Sequence, residues 1–173
     1  MDKVTDTQRP IITNSFRDRD SAERAYNMLA ARGYTNDEIH VLMSDETRKA
    51  HFGKDDTKTD MGNKALEGVG VGGVVGGAVG ATVLGLAAAA AAVTIPVLGL
   101  VIAGPLAGAL AGGAAGATAG GLVGVLVGAG IPEDRAKVYE SDLKAGGIVL
   151  GVKPRHDDDA RYFENEWRGQ NVR

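Results

Sequence analysis

The sequence predicts an α+β fold: a small, split, ferredoxin-like α/β sandwich of order β-α-β then α-β-α, interrupted by a long glycine-zipper α-helical hairpin. Three observations carry this. The 19 basic and 22 acidic residues all lie in residues 1–67 or 133–173, so the 65 residues from 68 to 132 carry no charge. The charged flanks alternate strand-like and helix-like apolar patterns. Within the uncharged stretch glycine recurs every four residues. The expected domains are therefore a discontinuous α/β unit (1–45 and 131–173), a charged linker (46–67) and a Gly/Ala-rich helical hairpin (68–130).

In the first flank, Ile11-Ile12-Thr13-Asn14-Ser15-Phe16 is a β-branched and aromatic run, read as the first strand. Asp20 with Glu23 three residues later forms a capping box, and Ala22, Ala25, Tyr26, Leu29 and Ala30 then repeat with helical spacing, giving one apolar stripe. Gly33 supplies the stop. Ile39-His40-Val41-Leu42-Met43 is the second strand, parallel to the first, with the helix as crossover. Residues 44–67 mix charge signs and have little to bury, so they are expected to be a mobile linker with a helical turn at 46–52.

In the second flank, Pro132 suits the first helical position, and Glu133 and Asp134 follow it at the positive helix end. Ala136, Tyr139, Glu140 and Leu143 share a face, and Gly146-Gly147 terminates the helix. Ile148-Val149-Leu150-Gly151-Val152 is apolar on both faces and predicts a buried strand. Asp157-Asp158-Asp159 opens a last helix that Ala160, Phe163 and Trp167 would dock. Neither flank can bury a sufficient core alone, so the two must fold together, and the insert must leave and return on one side.

The insert holds 19 Gly, 17 Ala, 23 Val/Leu/Ile, 3 Thr and 3 Pro. Residues 68–93 and 97–128 would be helices of roughly 39 and 48 Å, against about 30 Å for a bilayer core. Thr94-Ile95-Pro96 is the expected hairpin turn, with Pro105 as a kink or an alternative start of the second arm. Gly104, Gly108, Gly112, Gly116, Gly120, Gly124 and Gly128 form one row, and Gly68, Gly72, Gly76 and Gly80 another. Glycine costs a helix in water about 1 kcal/mol relative to alanine, so such rows predict surfaces where another backbone comes close. These eleven glycines are the candidate helix-packing and oligomerisation residues. A four-residue row winds around the helix, so the second arm should meet both the first arm and a second subunit.

Several functions are set aside. With no Cys there is no disulfide framework, thiolate metal site or Cys nucleophile. The net charge of −3 and the absence of like-charge blocks leave no nucleic-acid footprint. Gly68-Val69-Gly70-Val71-Gly72-Gly73 matches a dinucleotide pattern but follows no strand, and Gly53-Lys54 lacks the rest of a phosphate loop. His40 is expected in a strand and His51 and His156 in solvent, so no metal set, catalytic pair, cofactor or small-molecule substrate is identified. The N-terminus, Met1-Asp2-Lys3-Val4-Thr5-Asp6, shows no secretory signal, and both charged segments are expected on the cytoplasmic side.

Phe16-Arg17-Asp18-Arg19-Asp20-Ser21-Ala22-Glu23-Arg24-Ala25, with Gly33-Tyr34 and Glu38-Ile39-His40-Val41-Leu42, resembles the start of the bacterial general stress protein family typified by YflT. Gly130-Ile131-Pro132-Glu133-Asp134-Arg135-Ala136, with Tyr139-Glu140 and Gly146-Gly147-Ile148-Val149-Leu150, resembles its closing segment. The tail after Val152 departs from the pattern. The resemblance implies a stress-induced protein, often membrane-associated, and supplies no catalytic residue. The expected function is thus non-enzymatic: a membrane-associated stress protein whose hairpin inserts in a lipid bilayer and drives homo-oligomerisation, acting on the envelope. The alternatives are a soluble homo-oligomer or filament with a core of packed hairpins, and a ligand-sensing α/β domain.

Overall fold

The computed structural model describes residues 10–52, 59–62, 93–95, 99–104, 107, 114–128 and 130–170. Its elements are β1 (Ile12–Phe16), α1 (Arg19–Ala31), β2 (Ile39–Ser44), α2 (Asp45–Phe52), β3 (Val93–Ile95), β4 (Leu100–Ala103), α3 (Ala114–Gly128), α4 (Glu133–Lys144), β5 (Ile148–Val152) and α5 (Asp157–Gln170). The five strands form one sheet of order β1-β5-β2-β4-β3, every neighbouring pair antiparallel. β1 and β2 are thus parallel to each other with β5 between them, a split βαβ unit.

The fold is α+β, with helices on both faces of the sheet. On one face Ile12, Phe16, Ile39, Val41, Met43, Ile148 and Leu150 pack with α1 and α5; on the other, Leu42, Leu100, Ile102 and Val149 pack with α3 and α4. β5 reads apolar on both faces because it is the strand enclosed by β1, β2 and both helical layers. The crossovers β1-α1-β2 and β4-α3-α4-β5 cross the sheet in opposite directions along oppositely running strands, with helices on opposite faces. They therefore have opposite hands, and one of them is left-handed against the usual preference.

Local chemistry explains the helix ends. The cap of α1 is Asp18, two residues before the expected Asp20: its Oδ1 accepts from the Ser21 backbone N–H at 2.7 Å. Glu23 is then free to pair with Arg19 at 2.7 Å and to accept from Thr59 at 2.9 Å. α1, α3 and α4 end alike. Tyr34, Ile131 and Gly147 donate backbone N–H groups to the carbonyls of Leu29, Leu126 and Asp142, while Gly33, Gly130 and Gly146 donate to Ala30, Val127 and Leu143. Each is a six-to-one and five-to-two closure on a left-handed glycine, which uses two carbonyls the helix cannot satisfy itself.

Two expectations are corrected. The stretch after β2 holds the expected helical turn, as α2, but it does have something to bury: Phe52 and Met61 lie in the core against which α1 packs. The larger correction concerns the insert. Val93–Ile95 and Leu100–Ala103 are strands, with Thr94 paired to Val101 and Met43 to Val101 on the other side. The expected tip of the helical hairpin is bonded into the domain's own sheet, and the second arm is not one helix from 97 to 128. The physical reason is that β2 offers a free edge to a β-branched segment whose side chains are then enclosed on both faces; Leu100, Val101, Ile102 and Ala103 are all buried. The remainder of the first arm, 68–92, lies outside the described residues.

Candidate functional site

The candidate residues named from the sequence are the two glycine rows. Gly68, Gly72, Gly76, Gly80, Gly108 and Gly112 lie outside the described residues. Gly104 is not a helix-packing residue: it ends β4 with φ +96°, and a Cβ there would lie 2.3 Å from the Ile39 carbonyl oxygen. Its missing side chain lets the chain leave the sheet directly against the β2 backbone. Gly116, Gly120, Gly124 and Gly128 do fall on α3, but Gly121 breaks that helix with φ 56° and ψ −148°. The pair before the break is thereby out of helical register with the pair after it, so the row does not form one continuous stripe.

After the break, α3 has two distinct faces. Leu122, Val125 and Leu126, at i, i+3 and i+4, are buried against the sheet, α4 and Ile131. Gly124 is half-buried, Val127 is 42% exposed, and a Cβ on Gly128 would meet nothing within 4 Å. At 100° per residue these three positions lie opposite the buried trio. The result is a flat surface of two glycines and one valine turned away from the core.

Two polar assemblies join the N-terminal and C-terminal parts of the chain. Between α4 and β1, the Tyr139 hydroxyl donates to the Thr13 carbonyl oxygen at 2.8 Å and lies 2.9 Å from Thr13 Oγ1; Arg135 donates to the same carbonyl, and Ser15 donates to Asp142. Burial pushes the Tyr139 phenol above its usual range. Thr13 stands on the outer edge of the sheet, so these side chains satisfy a carbonyl that no strand reaches.

The second assembly joins residues 32–38 to 155–159. The Tyr34 hydroxyl accepts from the Arg155 backbone N–H at 2.9 Å and donates to Asp159 at 2.9 Å, and Arg32 pairs with Asp159 at 2.7 Å. Arg155 grips Glu38 through two nitrogens and lies 4.6 Å from the Tyr34 ring centroid. That guanidinium holds the Glu38 carboxyl down at about 2. Burial works to raise the Asp159 carboxyl, but the hydrogen bonds from Tyr34 and Arg32 outweigh it, and the net direction is down. Burial raises the Tyr34 phenol.

No protein-family model matches the chain, and neither a curated protein nor a solved structure matches it. Among the described residues no cluster of three His, Asp or Glu could hold a metal, and no helix is long and apolar enough to cross a membrane. His40 is buried in β2, and His51 and His156 are exposed. The roles of Arg135, Thr13 and Ser15 were not legible beforehand, because they depend on α4 crossing β1 more than 120 residues away in the chain. Tyr139 was legible only as an apolar contact.

Proposed function

We propose that this is a non-enzymatic stress protein that works by self-association, its α/β domain displaying glycine-rich surface to a second copy. The observation that carries the reading is the division of α3: Leu122, Val125 and Leu126 are committed to the core, and on the opposite face Val127 and Gly128 are exposed beside the half-buried Gly124. Two such faces can bring backbones into contact without side chains between them, the geometry that offsets glycine's cost in a helix. The engagement of the Tyr139 and Ser15 hydroxyls and the half-buried Asp142 carboxylate in joining α4 to β1 supports the non-enzymatic part. The resemblance to the YflT-type general stress family supports the stress role.

A bilayer is the second reading, favoured by the absence of charge over residues 68–132. It now takes a different form, because β3 and β4 sit in the sheet: lipid would be met on one side of the domain and not through a hairpin whose tip is Thr94. Crosslinking of the full chain, with and without Gly124→Leu and Gly128→Leu, tests the first reading. Loss of the higher-order bands is expected, and unchanged bands would sink it. Flotation with anionic vesicles separates the second, since co-flotation of a monomer would favour lipid over self-association.

A further inference from the structure

The sheet edge formed by β1 carries two adjoining cavities, of about 350 and 210 Å3, that share Asn14 and Arg135. The first is also bordered by Asp134, Val138 and Tyr139, and the second by Thr13, Glu164, Trp167 and Arg168. Together they make a groove between the first turn of α4 and the last turns of α5. Its floor is rigid. Trp167 is 2% exposed, stacked on Phe163 with centroids 5.8 Å apart and edge-on to Phe16 at 6.0 Å, and its backbone carbonyl accepts from the Asn14 amide at 3.2 Å.

The hydrogen-bond inventory of this groove is unbalanced toward donors. The Trp167 indole N–H is buried without a partner. A buried donor left unmade costs about 1–3 kcal/mol, so native proteins rarely leave one without a reason. Arg135 donates to the Thr13 carbonyl and lies 5.7 Å from the Tyr139 ring centroid, and among the described residues no ion pair joins it or Arg168 to a carboxylate. Thr13 accepts on its outward carbonyl, so by antiparallel geometry its N–H faces the same open edge. Among the acceptors at the groove, the Thr13 carbonyl is already used twice, and the Glu164 and Asp134 carboxylates are exposed. That double occupancy also excludes a peptide strand adding to β1, which would need the Thr13 carbonyl. Neither the Glu164 nor the Asp134 carboxylate is paired with Arg135 or Arg168, so a compact acceptor could take both guanidiniums.

We propose that this groove binds a small oxyanion, a carboxylate or phosphate group, held by the Arg135 and Arg168 guanidiniums with the Trp167 indole N–H at its inner end. The exposed Arg168 and Glu164 side chains form the movable outer wall through which it enters. This site is independent of the glycine face on α3, so its failure would leave the self-association reading untouched.

Trp167 is the sole tryptophan, so its indole N–H gives a single resonance in an amide correlation spectrum of the full chain. Sodium phosphate and sodium acetate are titrated separately at ionic strength fixed with chloride. The expected result is a saturable displacement of that resonance by phosphate, acetate or both, the more effective probe naming the group preferred. Arg168→Ala and Arg135→Gln should each weaken saturation roughly tenfold or more, as loss of a charge-assisted contact does. Should Arg135→Gln fail to fold, Arg168→Ala decides alone, because the exposed Arg168 makes no ion pair among the described residues. An indole resonance that moves no more than with chloride, or that saturates equally in Arg168→Ala, overturns the proposal.

Discussion

Replacing Gly104 with alanine separates the two readings of the uncharged stretch by the sign of its effect. If residues 97–128 formed a helix, Gly104→Ala would stabilise it by up to about 1 kcal/mol, the difference in helix propensity. In the structure Gly104 has φ +96°, and a Cβ would meet the Ile39 oxygen at 2.3 Å, with the Ile39 carbonyl carbon and His40 Cα both at 3.1 Å. All three are backbone atoms of β2, in the stretch paired to Val152 and Gly151 of β5, so none can swing away as a side-chain end would. The backbone conformation alone costs alanine about 1–3 kcal/mol. Moving the end of β4 by nearly an ångström adds strain of about 1–3 kcal/mol, as overpacking does in cores. The sum, about 2–6 kcal/mol, is a large part of the roughly 5–15 kcal/mol that holds a domain together. Urea unfolding followed by Trp167 fluorescence measures it, since that ring is buried in the α5 side of the core. A midpoint fall of that size is expected. A variant within about 0.5 kcal/mol of the parent, or more stable than it, would refute the placement of β4 and restore the helical arm.

Other perturbations follow from the same geometry. Leu126 is fully buried between α3, α4 and the sheet, so Leu126→Ala should cost about 2–5 kcal/mol by thermal or urea unfolding while leaving the crosslinked species unchanged. Tyr139→Phe keeps the ring and removes the donor to Thr13, whose carbonyl retains Arg135; a loss of about 0.5–1.5 kcal/mol is expected, and a loss above about 3 would show that the hydroxyl does more than close the sheet edge. Glu38 has its carboxyl lowered from 4.5 to about 2, so its contribution is complete above pH 4.5 and disappears as the pH falls toward 2. With side chains 43% and 36% exposed, solvent screening keeps the contribution of the Arg155–Glu38 pair small. The difference in stability between parent and Glu38→Gln should therefore shrink between pH 5 and about pH 2, and a constant difference would argue against the pair.

What the sequence by itself determined is the part of the fold where local chemistry and long-range packing agree. The β5 run is apolar at every position but Gly151, and it lies where both faces are covered. The stripe of Ala22, Ala25, Tyr26 and Leu29 specified α1, and the glycines at 33 and 146 marked helix ends that close by local backbone bonds. Each of these signals is complete within a few residues of its own position. Phe163 and Trp167 were legible as docking residues for the same reason, being one turn apart on one face of α5.

Only the tertiary structure decided the rest. Residues 93–103 sit inside an uncharged run with no polar face, so neither the helical nor the strand period can be read from them. Their state is set by the free edge of β2, which gives Val101 and Ile102 partners at Met43 and Leu42. The four-residue glycine spacing is a real regularity of the sequence, but its members serve different ends: Gly104 allows a close backbone approach, Gly128 lies open on a helix, and Gly121, outside the row, breaks that helix between them. Spacing records only which side chains are missing. Whether a missing side chain makes room for a strand, a bend or another molecule depends on what the fold brings opposite it.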